Sequence, residues 1–317
     1  MPLKIRVLVL GALILGGCSL GSVQETVNET YMNDQKLIHA YPNEKTSDYL
    51  SESIGLYMEY LVLIGDKKSF QEQYEILMQQ FIDRQAENTF IQWRLDEESR
   101  TNALIDDLRI ISSLEKASDQ FDNKVYRKLA EELSQSITNL QKSNGFSVDF
   151  YDWKYQQPAE RVTLSYLEDT NLLLEKTVNL LIGLSDIEVF FPEYYDVNRQ
   201  IYMKSEEIHM IDQLLIAINR LKVGIKSEVF HKWIVAAWTE GGHIYGRYDR
   251  QSQDETVEYE SIAVYYYLHE YFLLIGDEVF AKEVKLHVNT LVESDILKNA
   301  HFFDYIHYQL LLMKKTS

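Results

Sequence analysis

Hydrophobic residues in most of the chain recur with the period of an α-helix. From residue 47 onward, apolar side chains return every three or four positions, as in Leu56, Tyr60, Leu63 and Ile64, and this spacing lines one face of a helix. Segments with Gly and Asp, such as IGDKKS (64–69) and IGDEV (275–279), separate the periodic runs and are typical of helix ends. The pattern predicts one all-α domain over residues 47–317, built from about twelve helices with short turns.

Two stretches depart from this pattern. FSVDFYDWKYQQP (146–158) and VFFPEYYDVNRQIY (189–202) are rich in aromatic residues, which favour strands. They predict short strands or ordered loops within the helical domain. No linker rich in Pro, Gly or Ser divides the chain, so a single domain is the simplest interpretation.

One short stretch occurs both early and late. ESIGLYMEYLVLIGDKKSF begins at Glu52, and ESIAVYYYLHEYFLLIGDEVF begins at Glu260. Each copy has a glutamate, an apolar helix, Leu-Ile-Gly-Asp and a second amphipathic helix, which together predict a helical hairpin. Repeated hairpins form either an open solenoid or a closed ring. In a ring the first and last units touch, so both glutamates would face one central opening; in an open solenoid they would lie far apart.

The first eighteen residues predict export. Lys4 and Arg6 precede a short apolar run from Val7 to Leu15, which is too short for a transmembrane helix and typical of a signal peptide. Leu15-Gly16-Gly17-Cys18 is similar to a bacterial lipobox, in which the cysteine becomes the lipid-bearing first residue of the mature chain; the alternative is an ordinary secretory signal. We therefore predict a signal peptide at 1–17, lipidation at Cys18, a flexible tether at 18–46, and anchoring to the cell membrane on its extracytoplasmic face.

Composition narrows the possible partners. The chain has a formal net charge of −18 at pH 7, which argues against nucleic acid as a partner, since that binding requires clustered cations. Cys18 is the one cysteine, so the sequence offers no internal disulfide. The sequence shows no alternating strand–helix pattern of the kind typical of α/β solute-binding proteins. It predicts no cofactor.

The motifs resemble those of glycoside hydrolase family 8, which has an (α/α)6 toroid of helical hairpins. SES (51–53) stands where that family has Ser-Glu-Gly at an early helix start. NALIDDLRI (102–110) occupies the interval of its Asp-rich helix start, and YESIAV (259–264) is similar to its late Tyr-Asp-Ala-Ile-Arg-Val. The chain departs from the family pattern at Ser53, Ile105, Glu260 and Ala263. Lipid-anchored relatives of this kind accompany bacterial exopolysaccharide synthesis genes.

The resemblance implies roles for specific residues. Inverting glycoside hydrolysis uses one protonated carboxyl group as the acid and one carboxylate as the base, roughly 6.5–9.5 Å apart. The resemblance makes Glu52 the proton donor, Glu260 the base, and Asp107 a third catalytic-site residue that binds or distorts the sugar, with Asp106 beside it. A glutamate at a helix start is also a common helix-stabilising residue, and this alternative stays open for both glutamates.

Further candidates for substrate binding are aromatic or acidic. Trp93 and Tyr166 lie near the motifs and suit stacking on a sugar ring, as does Tyr57, although aromatic residues at helical spacing are more often core. Asp212 follows His209 by three positions; without a third ligand this pair does not predict a metal site, and Asp212 is assigned to substrate binding.

The sequence thus predicts a membrane-anchored glycosidase that hydrolyses an extracellular polysaccharide, with the exopolysaccharide synthesis machinery as a possible partner. The alternative is a non-catalytic lipoprotein that keeps the helical ring and binds glycan or acts as a scaffold.

Overall fold

The computed structural model describes residues 22–42, 44, 46–168, 170–294 and 296–314. The predicted signal peptide and Cys18 lie outside these residues. Eleven α-helices occur in the described part of the chain: α1 (Val23–Thr26), α2 (Ser51–Ile64), α3 (Lys67–Ile76), α4 (Leu104–Phe121), α5 (Lys124–Leu140), α6 (Glu175–Ile182), α7 (Met210–Lys222), α8 (Glu228–Gly241), α9 (Ile262–Leu274), α10 (Glu278–Glu293) and α11 (Phe302–Met313).

Short antiparallel strands connect several of the helices, and they include both of the aromatic stretches predicted above. The strands are β1 (Ile82–Gln85), β2 (Asn88–Ile91), β3 (Lys142–Ser143), β4 (Phe146–Ser147), β5 (Tyr151–Asp152), β6 (Gln157–Pro158), β7 (Arg161–Thr163), β8 (Tyr194–Asp196), β9 (Ile201–Met203), β10 (Glu207–His209) and β11 (Arg247–Asp249). They pair as β1–β2, β3–β4, β5–β6, β7–β8–β9 and β10–β11.

An inner ring of parallel helices forms the centre of the fold. Helix α2 packs between α4 and α11, and α9 packs between α7 and α11. A 3-10 turn at Leu164–Tyr166 packs on α7 and stands between α7 and α4 in the ring. Side-chain pairs show the parallel directions: Ser51 and Asp106 join the starts of α2 and α4 at 2.9 Å, and Ser261 and Asp304 join the starts of α9 and α11 at 2.7 Å. The ring arrangement confirms the predicted (α/α)6 toroid.

Both repeated stretches form the predicted helical hairpins, α2–α3 and α9–α10. Their turns use the same chemistry, because Gly65 (φ 73°) and Gly276 (φ 83°) adopt the left-handed conformation that glycine tolerates best. The following aspartates cap the outer helices: Asp66 accepts a hydrogen bond from the backbone N–H of Ser69, and Asp277 accepts one from that of Phe280. The Gly-Asp pair thus ends one helix and begins the next.

Part of the predicted tether is instead built into the domain. Val27, Tyr31, Leu37 and Ile38 are buried in the main core, and the ring of Tyr31 packs against those of Phe302 and Tyr305 in α11. Residues 22–42 therefore close the ring on the outside, beside α2 and α11. The sequence did not indicate this, because only a few apolar residues in a polar segment make the contacts.

Candidate active site

A cavity of about 680 Å³ opens where the inner helices begin. Five inner helices present their N-terminal ends to it: Glu52 comes from α2, Asp106 from α4, Asp212 from α7, Ser261 from the start of α9, and Asp304 from α11. Parallel inner helices place all their first turns at one end of the ring, so residues far apart in the sequence meet there. Clefts of this size suit small ligands or parts of a polymer.

Glu52 is the carboxyl group best suited to hold a proton. It lies in the first turn of α2, lines the cavity, and has no hydrogen-bond partner among the described residues. Burial, and to a smaller extent the nearby Asp106, raise the pKa of Glu52 from its ordinary 4.5 to about 7, while Arg109 opposes the rise. A carboxyl group with this pKa is protonated in a substantial fraction of molecules at neutral pH.

Asp106 is the charge that faces Glu52. The Ser51 hydroxyl donates to Asp106 Oδ2 at 2.9 Å, and Arg109 Nη1 lies 3.3 Å from Asp106 Oδ1. Burial raises the pKa of Asp106, whereas Arg109 and Ser51 stabilise its negative charge and oppose that rise. The two bonds direct the proton of the pair to Glu52, which lacks such partners.

Arg109 lies buried between the cavity and the deeper part of the ring. Its Nη2 is 3.9 Å from Glu168 Oε1. Burial acts to lower the pKa of the guanidinium, but Glu168 and Asp106 raise it, so the group stays charged. The sequence analysis missed Arg109, although its position three residues after Asp106 on the same helix was an available signal.

Asp212 is the second carboxyl group free to act in the cavity. It lies in the first turn of α7 with 35% of its side chain exposed, and its Oδ2 is 3.9 Å from His209 Nδ1. Burial lowers the pKa of His209, and Asp212 opposes that change. Within the described residues no group of three or more His, Cys, Asp or Glu side chains could hold a metal ion.

The other acidic residues of the cavity are engaged in bonds of their own. Asp304 Oδ1 accepts hydrogen bonds from the Ser261 hydroxyl at 2.7 Å and the Ala263 backbone at 2.9 Å, so it caps the start of α9. Glu207 pairs with Arg247 at 2.6 Å. These contacts leave Glu52 and Asp212 as the cavity carboxyl groups without a strong partner.

Two aromatic candidates line the cavity as the sequence analysis expected. Trp93 stands on the wall, and Tyr166 comes from the 3-10 turn. Burial, with Asp149, Asp106 and Asp212 nearby, raises the pKa of Tyr166 to about 12, so its hydroxyl remains protonated. Gly246 and Arg247, from the segment between α8 and α9, also line it.

Glu260 has a different position from the one predicted. It does not line the cavity; its carboxylate binds the Tyr265 hydroxyl and lies 2.6 Å from His287 Nε2 of α10. Helix α9 begins only at Ile262, because Asp304 caps Ser261 and Ala263. Glu260 therefore precedes the helix, and its side chain turns away from the ring centre.

Asp107 and Tyr57 are also outside the cavity lining. Asp107 is buried below it, where the Asn102 amide donates to Asp107 Oδ2 at 2.5 Å while Oδ1 has no partner. Burial raises its pKa well above the ordinary value. Tyr57 is a core residue, with its ring stacked on Tyr60 and edge-on to Phe302. Asp106, the neighbour of Asp107 on α4, does line the cavity, since consecutive residues on a helix point in different directions.

The fold is similar to the (α/α)6 barrels of glycoside hydrolase family 8. Endoglucanase Cel10 from Klebsiella pneumoniae, a family 8 glycosyl hydrolase, aligns with a TM-score of 0.62 over 91% of this chain and 97% of its own, at 13% identity. An endo-1,4-D-glucanase from Vibrio fischeri aligns with a TM-score of 0.69 over 91% of this chain and 92% of its own, at 11% identity. At these identities the likeness is one of fold. The sequence matches no family model.

Two proteins with higher sequence identity show the family of the chain. PssZ from Listeria monocytogenes is 34% identical, with a TM-score of 0.85 over 92% of this chain and 94% of its own. A Bacillus subtilis protein described as "Putative lipoprotein YdaJ" is 34% identical over 248 residues, which are 74% of this chain and 67% of that protein. The chain belongs to the family of PssZ and YdaJ. Among the described residues, no helix is long and apolar enough to cross a membrane.

Proposed function

We propose that the protein is an exported, lipid-anchored glycoside hydrolase that cleaves an extracellular polysaccharide by inverting acid–base chemistry, with Glu52 as the acid and Asp212 as the base. One observation carries the proposal: a carboxyl group without a hydrogen-bond partner, whose pKa is raised to about 7, shares a cavity with Asp212, a more exposed carboxyl group on another helix that has only the distant His209, at 3.9 Å, as a partner. Two carboxyl groups in contrasting surroundings are what this chemistry requires.

Glu52 supplies the proton. The leaving group of a glycosidic bond is an alkoxide unless its oxygen is protonated as the bond breaks, so an acid that keeps its proton near neutral pH is needed. Burial and the charge of Asp106 keep that proton on Glu52 by raising its pKa. Asp106 then acts as a positioning residue, and Trp93 and Tyr166 provide faces on which sugar rings stack.

Asp212 has the role of catalytic base, which the resemblance implied for Glu260. As base it removes a proton from a water molecule, which attacks the anomeric carbon from the face opposite the leaving group. Its partial exposure lets a water molecule reach it, and His209 beside it limits the directions the carboxylate can take. Glu260 and Asp107 have structural roles in this proposal.

The N-terminal sequence and one relative support an extracytoplasmic, membrane-anchored location. Residues 1–17 and Cys18 have the pattern of a lipoprotein signal, and one member of the family carries "lipoprotein" in its description. We place the mature protein on the extracytoplasmic face of the membrane, with a bacterial exopolysaccharide as the substrate and the machinery that makes it as a partner.

Reducing-end release from a panel of bacterial exopolysaccharides and β-linked glucans tests the proposal. The wild-type protein is expected to release reducing ends from at least one polymer, and NMR taken early in the reaction is expected to show the inverted anomer. Retention of the anomeric configuration would contradict the inverting mechanism and the role of Asp212 as a base that activates water. Polymer binding without release of reducing ends would favour the alternative, a glycan-binding lipoprotein.

A further inference from the structure

The end of the toroid opposite the cavity carries exposed apolar side chains. Because the inner helices are parallel, their C-terminal ends lie together at this end. Leu63, Leu274, Leu312 and Met313 stand in the last turns of α2, α9 and α11 and are 45–49% exposed. Isolated exposed apolar residues are ordinary on protein surfaces, whereas a set gathered on one face indicates an interaction surface.

The turns at the same end add three more. Val125 and Val279, at the starts of α5 and α10, are 53% and 68% exposed, and Ile187 is 85% exposed. Ile187 belongs to this end because its neighbour Asp186 accepts a hydrogen bond from the backbone of Glu228, where α8 begins after the α7–α8 turn. We call this face of the toroid the base, which is distinct from the catalytic base Asp212. It comprises Leu63, Val125, Ile187, Leu274, Val279, Leu312 and Met313.

The N-terminal end of the described chain lies at the base. The Gln24 amide donates to Asp66 Oδ2 at 3.1 Å, and Asp66 belongs to the turn between α2 and α3. From there the chain runs towards the cavity end, where the carbonyl of Ala40 accepts a hydrogen bond from the backbone of Phe302 at 2.7 Å. Ser22 is therefore near the base and remote from the cavity.

Cys18 is only four residues before Ser22. Four residues span at most about 14 Å, whatever their conformation. A lipid on Cys18 would therefore hold the base close to the bilayer. The cavity end could reach the bilayer only if the whole domain rotated about this short connection.

The charge of the base also suits a bilayer. The turns 65–68, 122–125, 183–188, 222–228 and 275–279, together with Lys314, hold six lysines and seven acidic residues, so their formal charge is −1 in a chain whose net charge is −18. Repulsion from an anionic lipid surface is therefore weaker at the base than elsewhere. Apolar side chains between lysines are the composition expected of a surface that touches the headgroup region.

We propose that the base docks on the extracytoplasmic surface of the bilayer that holds the Cys18 lipid, which leaves the cavity facing away from the membrane. This rests on the lipid anchoring proposed above. Helix α2, with 14 residues, is roughly 20 Å long, so the cavity stands about that far from the lipid surface. The enzyme would then meet polymer that has already left the membrane.

Depth-dependent fluorescence quenching tests this orientation. The lipidated full-length protein is reconstituted in vesicles of phosphatidylglycerol and phosphatidylethanolamine that contain spin-labelled lipid. A fluorophore is attached at Leu63→Cys or Ile187→Cys on the base, or at Tyr155→Cys. Tyr155 is the matched control: it is 66% exposed and lies in the β5–β6 turn, beside the segment that leads into α4 at the cavity end. The lipid occupies the sulfur of Cys18, so the label reaches only the new cysteine.

The expected result is strong quenching at both base positions and little at Tyr155→Cys. Equal quenching at all three positions in a protein that floats with the vesicles would overturn the docking while leaving the anchoring intact. A chain that does not float with the vesicles would overturn the anchoring and the docking together. Hydrolysis of a soluble polymer is measured separately and does not depend on either outcome.

Discussion

The two ESI stretches share a sequence but place their glutamates in different surroundings. Glu52 lies inside the first turn of α2 and faces the cavity. Glu260 lies two residues before α9 begins and binds Tyr265 and His287 on the outer side. The two glutamates differ mainly in where the helix begins, and that start is set by contacts made by residues elsewhere in the ring.

Each of these helices is fixed at its start by an aspartate from a neighbouring inner helix. Asp106 of α4 binds Ser51, and Asp304 of α11 binds Ser261. Counted from these contacts, Ser51 corresponds to Ser261, so the structural equivalent of Glu52 is Ile262. The repeat in sequence is thus out of step with the repeat in structure.

The largest expected effect is on catalysis. Glu52→Gln keeps the shape of the side chain but cannot release a proton, so we expect kcat/KM for a cleaved polymer to fall by about 10²–10⁴-fold. Glu59→Gln, seven residues further along α2, is the matched control and is expected to leave the rate unchanged. Reducing-sugar assays measure both. Equal losses in the two variants would indicate damage to α2 and contradict the role of Glu52.

The same substitution should stabilise the protein at alkaline pH. The pKa of Glu52 is about 7 in the folded chain, against its ordinary 4.5. Folding therefore favours the protonated form, and stability is lost as pH rises from 4.5 to 7. Glu52→Gln removes this loss, so we expect its free energy of unfolding at pH 8 to exceed that of the wild type by about 3 kcal/mol. Urea denaturation at pH 4 and pH 8 measures the effect, which should be absent at pH 4.

Glu260→Gln should lower the stability of the protein and leave catalysis unchanged, the opposite of what we expect for Glu52→Gln. The carboxylate fastens the chain before α9 to His287 of α10, so its loss is expected to lower the free energy of unfolding by about 1–3 kcal/mol. Catalysis by the remaining folded protein should not change. Tyr265→Phe removes the other partner and should also destabilise without affecting kcat. Thermal unfolding combined with activity assays at low temperature separates the two quantities.

The smallest expected effect is a shift in the pH dependence of kcat/KM. The negative charge of Asp106 raises the pKa of Glu52, so Asp106→Asn lowers it. The alkaline limb of the kcat/KM profile, which reports loss of the Glu52 proton near pH 7, should move to lower pH. Ser51→Ala leaves the charge in place and serves as the control. A limb that does not move in Asp106→Asn would show that another group supplies the proton.

Sequence patterns predicted the helical hairpins because the signals for them are local, whereas the closed ring was implied by the resemblance to glycoside hydrolase family 8. The Gly65-Asp66 and Gly276-Asp277 turns, the helical period and the aromatic strand segments each depend on neighbouring residues. The contribution of residues 22–42 was missed because a buried residue such as Tyr31 contacts α11 at the other end of the chain.

The candidate site was only partly predictable for the same reason. Glu52, Asp106, Trp93, Tyr166 and Asp212 were all named from the sequence and line one cavity. The position of Glu260 depended on Asp304, a residue more than forty positions later. One local signal was present: Glu52 precedes Gly65 by 13 residues, whereas Glu260 precedes Gly276 by 16. Because of the three extra residues, Glu260 lies before the first residue of its helix rather than within the first turn.

The most direct test of this account compares Asp212→Asn with Glu260→Gln on the same cleaved polymer at matched folded concentration. We predict that Asp212→Asn loses about 10²–10⁴-fold in kcat while Glu260→Gln retains the wild-type value. Azide added to Asp212→Asn should restore turnover in part, because a small anion can attack the anomeric carbon without a base. Loss of activity in Glu260→Gln with Asp212→Asn fully active would contradict the assignment and restore Glu260 as the base.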